Sequence, residues 1–226
     1  NGSLASASGG TALMSGASLP AVSPQGTWTT SSIGGVAAAV ASFGRGTHFR
    51  ATHALGGNGG GTRLNQYTLI VDLNTPSRPS GWAALLQSNP ANTDDGDWFI
   101  DPSGRIGISG VYDGRVPDGM WARLALVVDC VGGTYRSYIN GTPAQQLGGL
   151  TVDGRFSLGP TFLLFADNNQ ENAPGLVNSV QLRDQALSDS EILALGGPTA
   201  AGIPSKSIPP RNPLFGQSLQ TNGGFE

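Results

Sequence analysis

Apolar residues along this chain come in short runs at strand period, separated by glycine-rich turns. In Gln66-Tyr67-Thr68-Leu69-Ile70-Val71-Asp72-Leu73, Tyr, Leu, Val and Leu alternate with Thr, Ile and Asp, the pattern of a strand whose successive side chains face opposite ways. Residues 177–184 alternate as cleanly and predict a strand with one face in a core. Periodicity alone allows helix or buried strand over residues 35–43; the β-branched ends and flanking glycines favour strand. Further strands are expected over residues 82–87, 98–101, 104–110, 121–129, 134–139, 156–158 and 161–166. In all, about ten to thirteen strands at roughly 8–12-residue spacing predict an all-β antiparallel two-sheet sandwich.

The punctuation agrees with that reading. Residues 56–62, nearly all glycine, cannot hold regular structure and form a loop. Asn140-Gly141 suits a type I′ hairpin turn, because both central residues need positive φ. One short helix is predicted near residues 188–195: Ser188-Asp189-Ser190-Glu191 is a capping box, Ile192, Leu193 and Leu195 follow, and Gly196 can end the helix. It is expected to be a surface turn without chemistry.

Length and composition then set the organisation. The 226 residues suit one large all-β domain, and 35 Gly with 15 Pro exclude a helical protein. Residues 1–27, rich in Ser, Gly and Ala, read as a lead-in with an edge strand, and 28–197 as the domain. Residues 198–226 read as a proline-rich linker or strap running toward a possible next module.

Charge narrows the partners. The 15 acids comprise 3 Glu (Glu171, Glu191, Glu226), the rest being Asp, a loop and metal-ligand residue rather than a helix former. A net charge of −3 without a basic stripe gives no reason to expect nucleic acid or an anionic membrane. No run approaches the roughly 18 apolar residues of a membrane span. No charged-then-apolar leader opens the chain, as expected if a signal peptide has already been removed. Cys130, the single cysteine, cannot form an internal disulfide and sits in an apolar run, where a buried inert thiol is expected. Low Lys and Glu with abundant Gly, Ser, Thr and Asn fit an exported protein.

Two oxygen-rich loops are the leading candidates for chemistry. Asn92-Thr93-Asp94-Asp95-Gly96-Asp97 places three carboxylates in four positions, and Asp167-Asn168-Asn169-Gln170-Glu171-Asn172 adds two more with amide oxygens. Calcium takes about six to eight oxygen ligands, which such loops supply without His or Cys. The candidate ligands are Asp94, Asp95, Asp97, Asp167, Asn169 and Glu171. Crowded carboxylates repel unless a cation or solvent relieves them; the same residues also suit two solvated turns in which Asp and Asn cap their own backbone. Trp98, beside the acidic loop, and Tyr112 are the candidates for exposed stacking on a sugar ring, whereas Trp82 and Trp121 are expected to pack in the core.

Other constellations are weaker. His48 and His53, five apart on an extended segment, face opposite ways, which disfavours a shared metal and leaves a polar edge-strand role. No Gly-x-Ser-x-Gly elbow is present, and residues 56–61 lack the Lys-Ser/Thr and helix of a phosphate loop.

In order and spacing, Asn65-Gln66-Tyr67-Thr68-Leu69-Ile70, Trp82 with Leu85-Leu86-Gln87, Asp95-Gly96-Asp97-Trp98-Phe99-Ile100, Gly104-Arg105-Ile106-Gly107, Gly119-Met120-Trp121-Ala122-Arg123-Leu124, Tyr138-Ile139-Asn140-Gly141, Leu164-Phe165-Ala166-Asp167 and residues 186–192 resemble the laminin-G-like and concanavalin A-like jelly-roll domains of secreted bacterial modular proteins. The resemblance covers residues 28–197. It implies an antiparallel jelly roll, a secreted or surface-attached setting beside catalytic domains such as phosphoesterases or glycosidases, and structural calcium at the sandwich rim. Jelly-roll glucanases carry their acids as Glu-x-Asp-x-x-Glu or a close variant, and no such run is present. Residues 219–226 resemble the opening of the carbohydrate-binding sandwiches of secreted enzymes. The expectation is a non-catalytic extracellular binding or adhesion module, for a carbohydrate or cell-surface ligand, with neighbouring domains as partners; the alternative is a structural spacer attached to a secreted enzyme.

Overall fold

The computed structural model describes residues 14–17, 27–75 and 81–204. In chain order its strands are β1 (Met14–Ala17), β2 (Thr27–Ile33), β3 (Val36–Phe43), β4 (Thr47–Thr52), β5 (Gln66–Asn74), β6 (Ala83–Gln87), β7 (Trp98–Ile100), β8 (Ile106–Ile108), β9 (Val111–Asp113), β10 (Trp121–Asp129), β11 (Thr134–Ile139), β12 (Thr142–Gly148), β13 (Thr161–Leu164) and β14 (Gly175–Arg183). One helix, α1 (Asp189–Leu195), follows. The strands form two seven-stranded sheets, ordered β1-β4-β13-β6-β7-β8-β9 and β12-β11-β10-β5-β14-β3-β2. All pairings are antiparallel among the described residues, so the fold is a jelly-roll sandwich.

Facing side chains of the two sheets make the main core. Tyr67, Leu69, Val71 and Leu73 of β5 and Ala122, Leu124, Leu126 and Val128 of β10 meet Leu85, Trp98, Ile100 and Phe162 of the other sheet. The residues between them on β5, Thr68, Ile70 and Asp72, are fully buried as well. Their side of the sheet is covered by α1, whose Ile192 and Leu195 pack with Ile70, Ala125, Val127 and Tyr138. The capping box forms as expected, Ser188 accepting from the Glu191 N–H, and Gly196 takes φ 60°. The helix is nevertheless more than a surface turn, since it closes a second apolar layer.

Beneath the helix lies a buried ion pair. Arg123 and Asp72, opposite each other on β10 and β5, make two hydrogen bonds of 2.7 and 2.9 Å. Arg123 also donates to the carbonyls of Leu195 and Gly202, and Ser179 Oγ donates to Asp72 at 3.2 Å. Residues 198–204 run as a strap over the same face, fastened by Asn178 to the Thr199 carbonyl, by the Ile203 N–H to Ser179 Oγ and by Arg183 to the Pro204 carbonyl.

Loops explain the departures from the sequence expectation. Residues 156–158 form no strand; Leu158 makes only an isolated bridge to Leu64. The segment is held instead by side chains, with Asp153 accepting from the N–H groups of Thr62 and Arg63 and from Asn65 Nδ2, which pins it to the glycine-rich loop. The Asn140-Gly141 turn has φ of 51° and 85°, as expected. Strand β4 is flanked by β1 and β13, so His48 is not on an edge, and His53 Nε2 meets the Gly159 carbonyl at 2.8 Å. Cys130 is buried, 3.5 Å from Ser157 Oγ, and burial pushes its thiol pKa up. Among the described residues no helix is long and apolar enough to cross a membrane. The lead-in apart from β1, and the tail beyond residue 204 with its resemblance at 219–226, lie outside the described residues.

Candidate functional site

The two oxygen-rich loops meet at one rim of the sandwich. The first joins β6 to β7 and the second joins β13 to β14. Asp167 ties them together: its Oδ1 accepts the Gly96 N–H at 2.9 Å, its Oδ2 accepts the Asn169 N–H at 2.8 Å, and its carbonyl accepts Asn92 Nδ2 at 3.2 Å. Glycine is required at position 96, where a Cβ would lie 2.7 Å from the Phe99 ring. In this arrangement carboxylate oxygens of Asp95, Asp167 and Glu171 come within 4.8 Å of one another. Asp95 is exposed, Glu171 half-buried and Asp167 fully buried. Burial, then the negative charges of Asp167 and Asp95, raise the Glu171 pKa above the ordinary carboxylate range.

Beside this cluster opens a cleft of about 310 Å³ with aromatic walls. Trp82 packs edge-on against Tyr112 at 5.1 Å and against Phe99 at 6.0 Å. Asp95, Glu171 and Arg155 supply its charged lining. Tyr112 stands on β9, the last strand of its sheet, and its phenol pKa is pushed up to about 12 by burial and by the carboxylates of Asp101, Asp95 and Glu171. At neutral pH it is therefore an O–H donor. Arg155 reaches the rim from the loop before β13, with Nε 2.8 Å from Asp97 Oδ1 and Nη2 2.9 Å from the Gly96 carbonyl.

The model of the concanavalin A-like lectin/glucanases superfamily matches residues 51–193. The chain belongs to this superfamily. A search of curated proteins returned no significant match. Among solved structures, this superfamily member is similar to domain 4 of an extracellular arabinanase from Geobacillus stearothermophilus, solved with arabinotriose: TM-score 0.58, 16% identity, covering 84% of this chain and 91% of that one. It is also similar to the Trypanosoma rangeli sialidase solved with the inhibitor DANA (TM-score 0.52, 17% identity, 69% of this chain and 27% of that one). A third is the binding domain of botulinum neurotoxin DC, solved with SialylT (TM-score 0.52, 12% identity, 83% and 46%). At such identities the likeness is one of fold.

Within this lectin/glucanase fold the predicted site residues separate. Asp95, Asp167 and Glu171 converge; Asp94 is exposed and accepts from Asn89 Nδ2 at 2.8 Å, and Asn169 is exposed and enters only through its backbone N–H. Asp97 is buried with its oxygens occupied by Arg155 and by the Ser88 N–H, so it braces the loop instead of facing the cluster. The expected exposure of Trp98 is overturned: its indole is wholly buried, because it points into the core between the sheets and donates to Ser137 Oγ of β11 at 3.1 Å. Trp82, expected in the core, packs against it half-buried and also lines the cleft. Arg155 was missed because its partners are 58 and 59 residues away in sequence.

The donor set suits a hard cation. It is all oxygen and carries three carboxylates; Asn92, whose Nδ2 donates to the Asp167 carbonyl, has a buried Oδ1 without a hydrogen-bond partner. Asp97 does not belong to such a set.

Proposed function

We propose that this domain is a non-catalytic carbohydrate-binding module working outside the cell, with calcium at its acidic rim. The observation that carries the proposal is the juxtaposition in one cleft of the Trp82 and Tyr112 rings with Asp95, Glu171 and Arg155. A sugar ring presents a C–H face that packs on an aromatic wall and hydroxyls that need both donors and acceptors, and this lining offers both. Calcium would be held by Asp95, Asp167 and Glu171, supplying charge that relieves the crowding felt by Glu171. The solved arabinanase domain, with its arabinotriose, supports a saccharide as the ligand class.

The spacing of the acids speaks against inverting hydrolysis. The oxygens of Asp95 and Glu171 approach within 4.8 Å, short of the roughly 6.5–9.5 Å that leaves room for an attacking water in inverting glycosidases. The third acid, Asp167, is buried and spends both oxygens on backbone N–H groups. The raised pKa of Glu171 favours one second reading, a general acid in a retaining pair with Asp95.

Glycan-array binding followed by titration of Trp82→Ala tests the proposal: at least one saccharide binds, and the variant weakens it about tenfold or more, or ~1.4 kcal/mol. EDTA lowers the melting temperature and calcium restores it, by about 2.7 kcal/mol of stability at a hundredfold excess over Kd. A folded protein that binds no glycan and melts identically with and without chelator would leave the spacer role; glycan turnover lost in Glu171→Gln would establish the enzyme.

A further inference from the structure

A second, larger cleft of about 1270 Å³ adjoins the aromatic one, and Asp95 and Arg155 line both. Its floor crosses β4, β13 and the Leu64–Leu158 bridge, with Arg50, His53 and Thr161 facing the space, and its wall is the loop after β6. The smaller cleft matches the lower end of the roughly 300–1,000 Å³ range of small-molecule pockets, and the larger one exceeds that range. Two unequal clefts sharing a wall suit a ligand longer than one ring.

The charges of the larger cleft decide its chemistry. Three arginines line it, Arg50, Arg63 and Arg155, and three aspartates, Asp94, Asp95 and Asp97. Arg155 and Asp97 are already paired at 2.8 Å. Arg50 is oriented by a 3.1 Å bond from Nη2 to the Pro90 carbonyl, and a guanidinium has four further N–H donors to offer. Equal numbers of cations and anions leave no net field to attract a polyanion, a calcium ion held by the three carboxylates Asp95, Asp167 and Glu171 would leave that cluster no more than singly charged, and the exposed Asp94 would repel a polyanion. Interspersed guanidinium donors and carboxylate acceptors suit hydroxyl groups, which both donate and accept.

We infer that the two clefts are subsites of one groove that takes an extended, uncharged glycan chain, of which the unit between Trp82 and Tyr112 is only one. This rests on the carbohydrate-binding reading of the smaller cleft. Uncharged recognition also predicts weak dependence on salt, since no counterions are released.

Calorimetric titration tests this with glucose, xylose and arabinose, their linear hexamers, and two acidic polymers, polygalacturonate and heparin, at low and high salt. At least one neutral hexamer binds about tenfold or more tightly than its monomer, with little change in salt, and the acidic polymers do not compete. Thr161→Trp, a half-buried position of β13 that lines only the larger cleft, removes the gain from chain length and leaves monomer affinity unchanged. Arg63→Ala, at an exposed loop residue, is the milder variant and reduces hexamer affinity alone. Equal affinity for monomer and hexamer, or preferential binding of the acidic polymers, overturns the extended neutral groove and leaves the Trp82-Tyr112 site standing. Failure of every saccharide to bind overturns both.

Discussion

Replacing Asp72 by Ala is the sharpest test of how the second sheet is held. Asp72 is 0% and Arg123 2% exposed, so the substitution strands a guanidinium that water cannot reach. Breaking a buried pair by removing one partner costs about 3–5 kcal/mol. Arg123 retains the Leu195 and Gly202 carbonyls, which places Asp72→Ala at the lower end, about 3 kcal/mol. For a domain of this size each kcal/mol moves Tm by roughly 2–4 °C, hence a fall of about 6–12 °C. Arg123→Ala is expected to cost at least as much, because it leaves the buried Asp72 carboxylate with only Ser179 Oγ and takes the guanidinium donor from the Leu195 carbonyl, at about 1–3 kcal/mol for each buried group left unsatisfied. The double variant Asp72→Ala/Arg123→Ala removes both charges and should lose less than the two single effects together, with a coupling of about 2 kcal/mol or more. Thermal and urea melts of the four proteins close the cycle. A fall below about 2 °C for Asp72→Ala, or a coupling near zero, would show that the pair is not desolvated as described.

Three further outcomes are expected. With EDTA present, the raised Glu171 pKa lets the native state hold more protons than the unfolded chain, so wild type gains stability relative to Glu171→Gln as pH falls from neutral toward the ordinary Glu value of about 4.3; pH-dependent melts of the two proteins read the difference, and parallel curves would refute it. The Asp153 carboxyl is held far below its ordinary value by the Thr62 N–H, by Asn65 and by the Arg63 N–H, so its stabilisation is full above the ordinary Asp pKa and disappears as pH falls through the depressed value; in Asp153→Ala, hydrogen exchange at Thr62 and Arg63 accelerates while β5 and β10 stay protected. Trp98→Ala costs about 3–5 kcal/mol as a core truncation, whereas Trp82→Ala leaves most of the stability and removes glycan binding, and melts beside titrations separate the two.

Much of the architecture was legible because alternation is a local property. The patterns at Gln66–Asn74, Trp121–Asp129 and Gly175–Arg183 mark three adjacent strands, and Asn140-Gly141 and Ser188–Glu191 fix a turn and a cap within a few residues. Alternation assigned Asp72 to a polar face, but the burial of that face depends on α1 and on residues 198–204, more than a hundred positions away. Trp98 misled for the same reason: adjacency to an acidic loop suggests exposure, whereas the opposite sheet, through Ser137, covers it. The acidic loops announced their oxygens but not their division of labour. Asp97 went to Arg155, 58 residues on, and the Gly96 N–H beside Asp95 to Asp167, 71 residues on, contacts that no short window contains.

The cross-strand placement of Arg123 opposite Asp72 also acts as a registration mark. Sliding β10 by one residue along β5 would turn the guanidinium from its carboxylate into the apolar interior, and would point Leu124 toward the strap. A two-residue slip would keep the faces but set Arg123 against Ile70 or Asn74. A single charge pair thus rejects both nearby misalignments of β5 and β10, two of the three nine-residue strands at the centre of the sheet, a task that a uniformly aliphatic layer could not perform.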